Sequence, residues 1–163
     1  MKIMIVCLTF ATLIVAQDTE NYPPPSRDNA LLVADSYFQL LKRLTERIYR
    51  ATKRPRLSQF TSDVREVNDE FRDINDSFLG LLEPAAKSCF EGFTKEERER
   101  YFGKSLRELF ATLKKTAQAI RAHGRKFAKQ IPNSQDYAEV MQANIQEIHR
   151  SRTVTDPIKE SCQ

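Results

Sequence analysis

One stretch of the chain restricts the fold more than any other feature. Between positions 57 and 81, large apolar residues recur at alternating spacings of three and four, and almost every intervening residue is polar. This heptad spacing is typical of a helix that buries one narrow face against other helices. The residues of this heptad seam are Leu57, Phe60, Val64, Val67, Phe71, Ile74, Phe78 and Leu81.

Apolar residues also recur with helical spacing before and after the seam. The pattern predicts an all-α fold with helices over about 28–51, 57–82, 94–131 and 134–152. The alternation that a β-sheet requires does not run far enough anywhere in the sequence. Because short connections favour antiparallel neighbours, we predict an up-down-up-down four-helix bundle.

Several residues mark where these helices begin and end. Thr94 and Glu97 have the spacing of a capping box, which predicts the start of the third helix. Gly124 interrupts the apolar face of that helix, and we expect a bend or a frayed end there. The tail over 153–163 contains Pro157 and is predicted to be irregular.

The first sixteen residues resemble a secretory signal peptide. A basic start is followed by an uncharged apolar run, Ile3 to Val15, which is shorter than the roughly 20 residues of a membrane span. We therefore predict cleavage after Ala16, a Pro-rich extended lead-in over 17–27, one domain over 28–163, and a secreted, extracellular protein. A buried N-terminal helix or a membrane anchor is the alternative.

Two cysteines remain after the predicted cleavage, Cys89 and Cys162. In an oxidising secretory compartment, such a pair more often forms a disulfide than stays reduced. Cys89 follows the second helix and Cys162 follows the fourth, and both positions fall at the same pole of the predicted bundle. We expect a Cys89–Cys162 bridge, with an intermolecular bridge at Cys162 or two free thiols as alternatives.

The sequence contains no recognisable catalytic, metal or cofactor motif. Only four glycines are present, and none forms a phosphate-binding loop. The two histidines, His123 and His149, lack the neighbours that nucleophilic or metal chemistry requires, and we expect both to face solvent. The prediction is a protein that is not an enzyme and needs no cofactor or metal.

Charge is unevenly distributed along the chain. The segment 58–83 has seven acidic and two basic residues, whereas bases dominate the ends of the first and third predicted helices. In the predicted bundle those two ends form a basic pole, which suits a sulfated glycan, an anionic lipid surface or an acidic protein. The alternative is that cations near helix C-termini merely complement the helix dipole. The predicted patch comprises Arg43, Arg47, Arg50, Lys53, Arg54, Arg56, Arg121, Arg125, Lys126 and Lys129.

Asn75 begins an Asn-Asp-Ser triplet that matches the N-glycosylation pattern. It lies next to Ile74 of the seam, and we expect it to point away from the buried stripe. A glycan there would keep one flank of the second helix free of partners.

The chain is rich in phenylalanine at core spacing. These rings either fill the core by packing against one another or surround a cavity for an apolar ligand. The residues of this possible ligand lining are Phe38, Phe60, Phe71, Phe78, Phe102, Phe110 and Phe127.

Together these patterns favour a secreted, non-enzymatic protein that acts by binding. The first hypothesis is an extracellular protein partner or receptor, as for a helical cytokine or a secreted effector, with the basic pole for anionic surfaces. The alternative is a carrier of a fatty acid or another small apolar molecule. A helical protein that opens onto membranes is a third possibility, and no nucleic-acid partner is expected.

Overall fold

The structure, a computed structural model, describes residues 27–85 and 93–161, with side chains described over 32–80 and 93–156. All regular secondary structure in these two ranges is helical, which confirms the predicted all-α class. Helix α3 is one continuous rod in which five π-helical residues separate two α-helical parts. The helices are α1 (Arg27–Ala51), α2 (Leu57–Ala85), α3 (Lys95–Arg98, π-helical Glu99–Gly103, then Lys104–Lys126) and α4 (Gln135–Ser161).

The heptad seam forms the part of α2 that is buried. Its first five residues are less than 9% exposed, and Phe60 and Val64 are completely buried. Ile74 and Phe78 are partly buried against the same core. The spacing of the seam therefore identified the main core-facing stripe of α2.

Helices α1 and α2 form an antiparallel pair. The hydroxyl of Tyr37, in the first half of α1, donates a hydrogen bond of 2.9 Å to the side chain of Asn75 in α2. Arg54, just beyond the end of α1, pairs with Asp63 near the start of α2 at 2.5 Å. The two helices thus run in opposite directions, with the connection 52–56 between them.

Helices that are not consecutive in the chain pack in parallel. α1 packs closely on α3, and α2 packs closely on α4. Consecutive helices alternate in direction, and these two parallel pairs arise because the first helix packs on the third and the second packs on the fourth. The side-chain contacts that give these directions are Asp35 with Ser105 and Thr45 with Thr116 for the first pair, and Asn68 with Asn144 and Asn75 with Ser151 for the second.

The predicted helix starts are correct and two of the ends are not. The capping box is present, since Thr94 Oγ1 accepts from the backbone of Glu97 and the Glu97 side chain accepts in return. The prediction that the third helix runs to 131 is wrong: α3 ends at Lys126, two residues after Gly124, and Phe127 leaves the helical conformation. Helix α4 continues to Ser161, and the irregular tail predicted from position 153 is wrong because Val154 and Thr155 extend its buried face.

The remaining predictions about the chain ends concern residues that the structure does not describe. The signal peptide over 1–16 and nearly all of the lead-in over 17–27 lie outside the described residues, as do Cys89 and Cys162. The cleavage site and the disulfide therefore stay predictions.

Candidate functional site

An apolar cleft with a volume of about 340 Å³ lies between α3 and α4, with α1 and Phe71 of α2 at its floor. We call it the α3–α4 cleft. Its walls are mostly aliphatic and aromatic, and its volume falls within the roughly 300–1,000 Å³ range of small-molecule sites. The main apolar wall residues are Ile48, Phe71, Phe110, Leu113, Ile120 and Ile148.

The α3–α4 cleft follows from how the helices are paired. α3 packs on α1 and α4 packs on α2, and across the described chain the Lys104–Lys126 part of α3 is not packed closely on α4. Towards the two ends the helices approach each other: the first turn of α3, Lys95–Arg98, contacts α4, and Tyr137 lies near Gly124 at the other pole. The middle of the α3–α4 pair therefore stays open.

Hydroxyl groups in the cleft walls are hydrogen-bonded within the protein. Each donates to a backbone carbonyl or to a buried amide, so these hydroxyl hydrogens are already used. Contact with an apolar ligand then leaves none of these donors unsatisfied. The bonds run from Thr45 to Leu41 O (2.7 Å), Thr116 to Thr45 O (3.2 Å), Ser151 to Asn75 Oδ1 (3.0 Å) and Thr155 to Ser151 O (3.2 Å).

A charged pair stands at the α4 side of the cleft. Arg152 and Asp156 both line it, and the Arg152 Nε donates to an Asp156 carboxylate oxygen at 2.9 Å. The two residues are one turn apart on α4, a common arrangement for a surface ion pair. The cleft thus combines apolar walls with a charged margin.

The predicted ligand-lining phenylalanines separate into two groups. Phe71 and Phe110 line the cleft. The other five pack against neighbouring rings, as in the contact of Phe38 with Phe102, whose ring centres lie 6.0 Å apart at 90°. The remaining ring contacts are Phe60 with His123 (4.0 Å), Phe78 with Tyr37 (5.6 Å) and Phe127 with His123 (4.6 Å).

Sequence reasoning missed most of the cleft. The predicted lining includes two of its residues, Phe71 and Phe110, and does not include Leu113, Ala117, Ile120 or Ile148. The available signal was the width of the α3 stripe, because Phe110 and Ala117 lie to one side of Leu109 and widen the apolar face beyond what one partner helix covers.

Asn75 is completely buried, so the expectation that it points away from the core is wrong. Its amide nitrogen donates to the backbone carbonyl of Glu147 at 3.1 Å and to the carboxylate of Glu147 at 2.9 Å. The atom that would carry a glycan therefore faces α4. A glycan on Asn75 is incompatible with this packing.

The side chain of Asn75 is the centre of a buried polar network between α1, α2 and α4. Its oxygen accepts from Tyr37 at 2.9 Å and from Ser151 at 3.0 Å. Burial raises the pKa of Tyr37 to about 12, which keeps its hydroxyl protonated as a donor at physiological pH. Arg150 balances the charge of Glu147 at 3.1 Å. The network satisfies polar groups that would otherwise be costly to bury.

The two histidines have different environments. His149 is exposed, as expected, but His123 is 3% exposed, and its predicted solvent position is wrong. The ring of His123 stacks on Phe60, and neither ring nitrogen has a hydrogen-bond partner among the described residues. Burial, helped by the charge of Lys126, lowers the pKa of His123. The neutral form is thus favoured in the folded protein.

This burial makes stability depend on pH. Because the folded pKa of His123 lies below the ordinary value of about 6.5, the unfolded chain takes up the proton first as the pH falls. We expect the free energy of unfolding to fall below that pH by up to about 1.4 kcal/mol per pH unit until the folded pKa is reached. Urea unfolding at pH values from about 7.5 to 5 measures it.

His149 provides the matched control for this pH effect. His123→Leu should reduce the loss of stability on acidification, whereas His149→Leu should retain the wild-type pH profile, since His149 is exposed. The carboxyl groups, which titrate at lower pH, are the same in all three proteins, so their contribution to the pH dependence cancels when the variants are compared with the wild type. If His123→Leu follows the wild-type profile, His123 is not the group responsible.

Two of the predicted basic-patch residues are already paired with α2. Arg47 contacts Glu66 at 3.0 Å and also pairs with Glu70, and Arg54 pairs with Asp63. These pairs neutralise part of the positive charge that the sequence placed at the end of α1. Acidic α2 therefore partly neutralises the basic end of α1.

The other eight patch residues make no ion pair within the ranges that the structure describes. The ends of α1 and α3 lie on the same side, since the two helices run in parallel and the Thr116 hydroxyl of α3 donates to the Thr45 carbonyl oxygen of α1, ten and six residues before their respective ends. The predicted basic pole therefore keeps eight of its ten bases without an ion pair in the described residues. The eight residues are Arg43, Arg50, Lys53, Arg56, Arg121, Arg125, Lys126 and Lys129.

Within 27–85 and 93–161, no group of three or more His, Cys, Asp or Glu could hold a metal ion. In the same ranges, none of the helices is both long and apolar enough to cross a membrane. Comparisons with protein-family models, with curated proteins and with solved structures give no significant match to this chain. The geometry of the chain itself is therefore the basis for a functional proposal.

Proposed function

We propose that the protein is a secreted, non-enzymatic carrier that holds a small apolar ligand in the α3–α4 cleft. The observation that carries the proposal is the cleft itself, about 340 Å³ of largely apolar space between two helices that are not closely packed along their middle. Its wall hydroxyls are hydrogen-bonded internally. Secretion is supported by the apolar segment at the start of the sequence.

The dimensions of the cleft favour an elongated ligand. Its α4 wall runs from Asn144 to Asp156, which spans roughly 18 Å at 1.5 Å per residue. One acyl chain covers half of a hydrocarbon core of about 30 Å, or about 15 Å. A single chain of this kind fits along the cleft, and its burial contributes about 0.8 kcal/mol per methylene group.

Filling the cleft with a side chain tests the proposal. Ala117 lines the cleft, and in the variant Ala117→Trp an indole ring would occupy the space intended for the ligand. We expect the affinity for the neutral apolar dye Nile red to fall at least about tenfold. The free energy lost when only two methylene groups are no longer buried already corresponds to about a tenfold loss of affinity. Fluorescence titration of the dye measures it.

The control is Ala122→Trp, which places the same side chain on an exposed position of α3 that does not line the cleft. Ala122→Trp should bind the dye as the wild type does. Equal affinities for all three proteins would show that the dye does not bind in the cleft, and would contradict the proposal.

A protein partner or receptor is the second candidate. Its docking surface would be the eight bases of the basic pole that make no ion pair in the described residues. The observation that favours it is the group of bases in and just after the end of α3 that make no ion pair in the described residues, among them Arg121, Arg125 and Lys129. Such a surface raises association rates with anionic partners. This candidate differs from the first because Ala117→Trp should leave docking at the basic pole unchanged.

The Cys89–Cys162 bridge is part of the same proposal. Because α2 and α4 run in parallel, the end of α2 at Ala85 and the end of α4 at Ser161 lie at one pole. A bridge beyond those two ends would hold α4 in position on the far side of the cleft. A rise of two mass units on reduction of the purified monomer is the expected signature.

A further inference from the structure

The margins of the α3–α4 cleft differ in charge from its walls. Lys114 and Arg121 are exposed, and each lies four residues after a cleft-lining residue of α3, Phe110 and Ala117 respectively. Residues four apart are neighbours on one face of a helix, so both cations stand at the outer edge of the α3 wall. The α3 margin is therefore positive.

The opposite margin belongs to α4. Arg152 lines the cleft there, and its Nε is bonded to Asp156, the one carboxylate among the lining residues. Across the described residues Arg152 makes no second ion pair, which leaves the outer nitrogens of its guanidinium group for another acceptor. The margins together carry three cations against one carboxylate.

We propose that the ligand of the α3–α4 cleft is a single-chain amphiphile with an anionic head group. Its chain lies along the apolar walls, and its head group is attracted to the cationic margins that Lys114, Arg121 and Arg152 form along the opening. This inference rests on the proposed carrier function and specifies the ligand class. The wall hydroxyls are engaged elsewhere, so the polar end of a ligand finds its partners at the margin.

The charge of the head group should decide the affinity. Palmitate, cetyl alcohol and cetyltrimethylammonium share an apolar chain and differ in the charge of the head. Displacement of Nile red by each compound, below its micelle concentration, measures the three affinities on the full-length protein. We expect palmitate to bind at least about tenfold more tightly than the other two, because hydrogen bonds to charged groups strengthen binding by about that factor.

Variants assign this preference to the margin. The combined substitution Lys114→Gln, Arg121→Gln and Arg152→Gln should lower the palmitate affinity to that of cetyl alcohol, so that the preference is lost. The matched control, Lys115→Gln, Lys126→Gln and Lys129→Gln, removes the same charge away from the lining residues and should retain the preference. Asp156→Asn should increase the palmitate affinity, since it removes the one acidic group of the lining.

The outcomes separate the two levels of the proposal. Equal displacement by all three compounds, or tightest binding of the cationic one, would overturn the anionic head group while the carrier function stands. Retention of the palmitate preference in the Lys114, Arg121 and Arg152 variant would overturn the assigned margin. A failure of Nile red to distinguish wild type from Ala117→Trp would count against the carrier function itself.

Discussion

Replacing Phe60 by alanine should lower the free energy of unfolding by about 3–5 kcal/mol. The ring is completely buried and stacks on His123 at 4.0 Å and on Tyr137 at 5.8 Å, so it joins α2 to both α3 and α4 at one pole. Its removal leaves a cavity bordered by two helices that have few other contacts with each other. Urea denaturation followed by circular dichroism measures the change.

Phe78→Ala is the control in the same helix, because Phe78 belongs to the same seam but is only partly buried. It should cost clearly less than Phe60→Ala. Phe60→Ala should also weaken the pH dependence of stability, since the loss of the stacked ring exposes His123 to water and brings its pKa towards the ordinary value. Equal costs for the two variants would contradict the packing described for this pole.

Replacing Asn75 by alanine should cost about 2–4 kcal/mol of stability. The substitution removes the acceptor of Tyr37 and one acceptor of Ser151, and it removes a donor to Glu147. The buried Tyr37 hydroxyl then loses its Asn75 acceptor and has only the Ser151 side chain beside it. The same denaturation measurement applies, on protein produced without glycosylation so that the triplet at Asn75 has no other effect.

A double-mutant cycle with Tyr37→Phe separates the network from simple packing. In the wild type, Tyr37→Phe should cost about 1 kcal/mol, because Asn75 loses a hydrogen bond. In the Asn75→Ala background the same change should cost clearly less, because the hydroxyl it removes has already lost its Asn75 acceptor. Additive costs would show that the two side chains do not interact as described.

The sequence predicted the parts of the fold that depend on a single apolar stripe. The heptad seam of α2 and the capping box at Thr94 depend on local spacing, and both are found in the structure. The all-α class follows from the same periodicity. These features are predictable because one residue pattern determines one helix face or one helix start.

The sequence did not reveal the second interface of α2. That interface is polar, and its central residues, Asn68 and Asn75, look like solvent-facing positions in a periodicity analysis. Buried amides become acceptable only when partners on another helix satisfy them, as Asn144 does for Asn68 at 2.8 Å. That information lies in the pairing of helices, which no local pattern contains.

His123 and the cleft were missed for related reasons. His123 is polar and lies among bases, so its neighbours in the sequence suggest solvent, whereas its neighbours in space are the rings of Phe60 and Phe127. The cleft depends on the distance between α3 and α4, which is set by the packing of each on a different partner. Phe71 and Phe110 were correctly included among possible lining residues, but the sequence could not separate them from the phenylalanines that fill the core.

The occupancy of the α3–α4 cleft tests the account most directly. Native mass spectrometry of the protein purified from its source should show the polypeptide with the added mass of one small molecule, which denaturation releases and which negative-ion analysis identifies as a single-chain anionic amphiphile. The Ala117→Trp variant, produced in the same cells, should lack that mass. A wild-type protein that carries no added mass, and that binds neither Nile red nor palmitate when they are supplied, would contradict it.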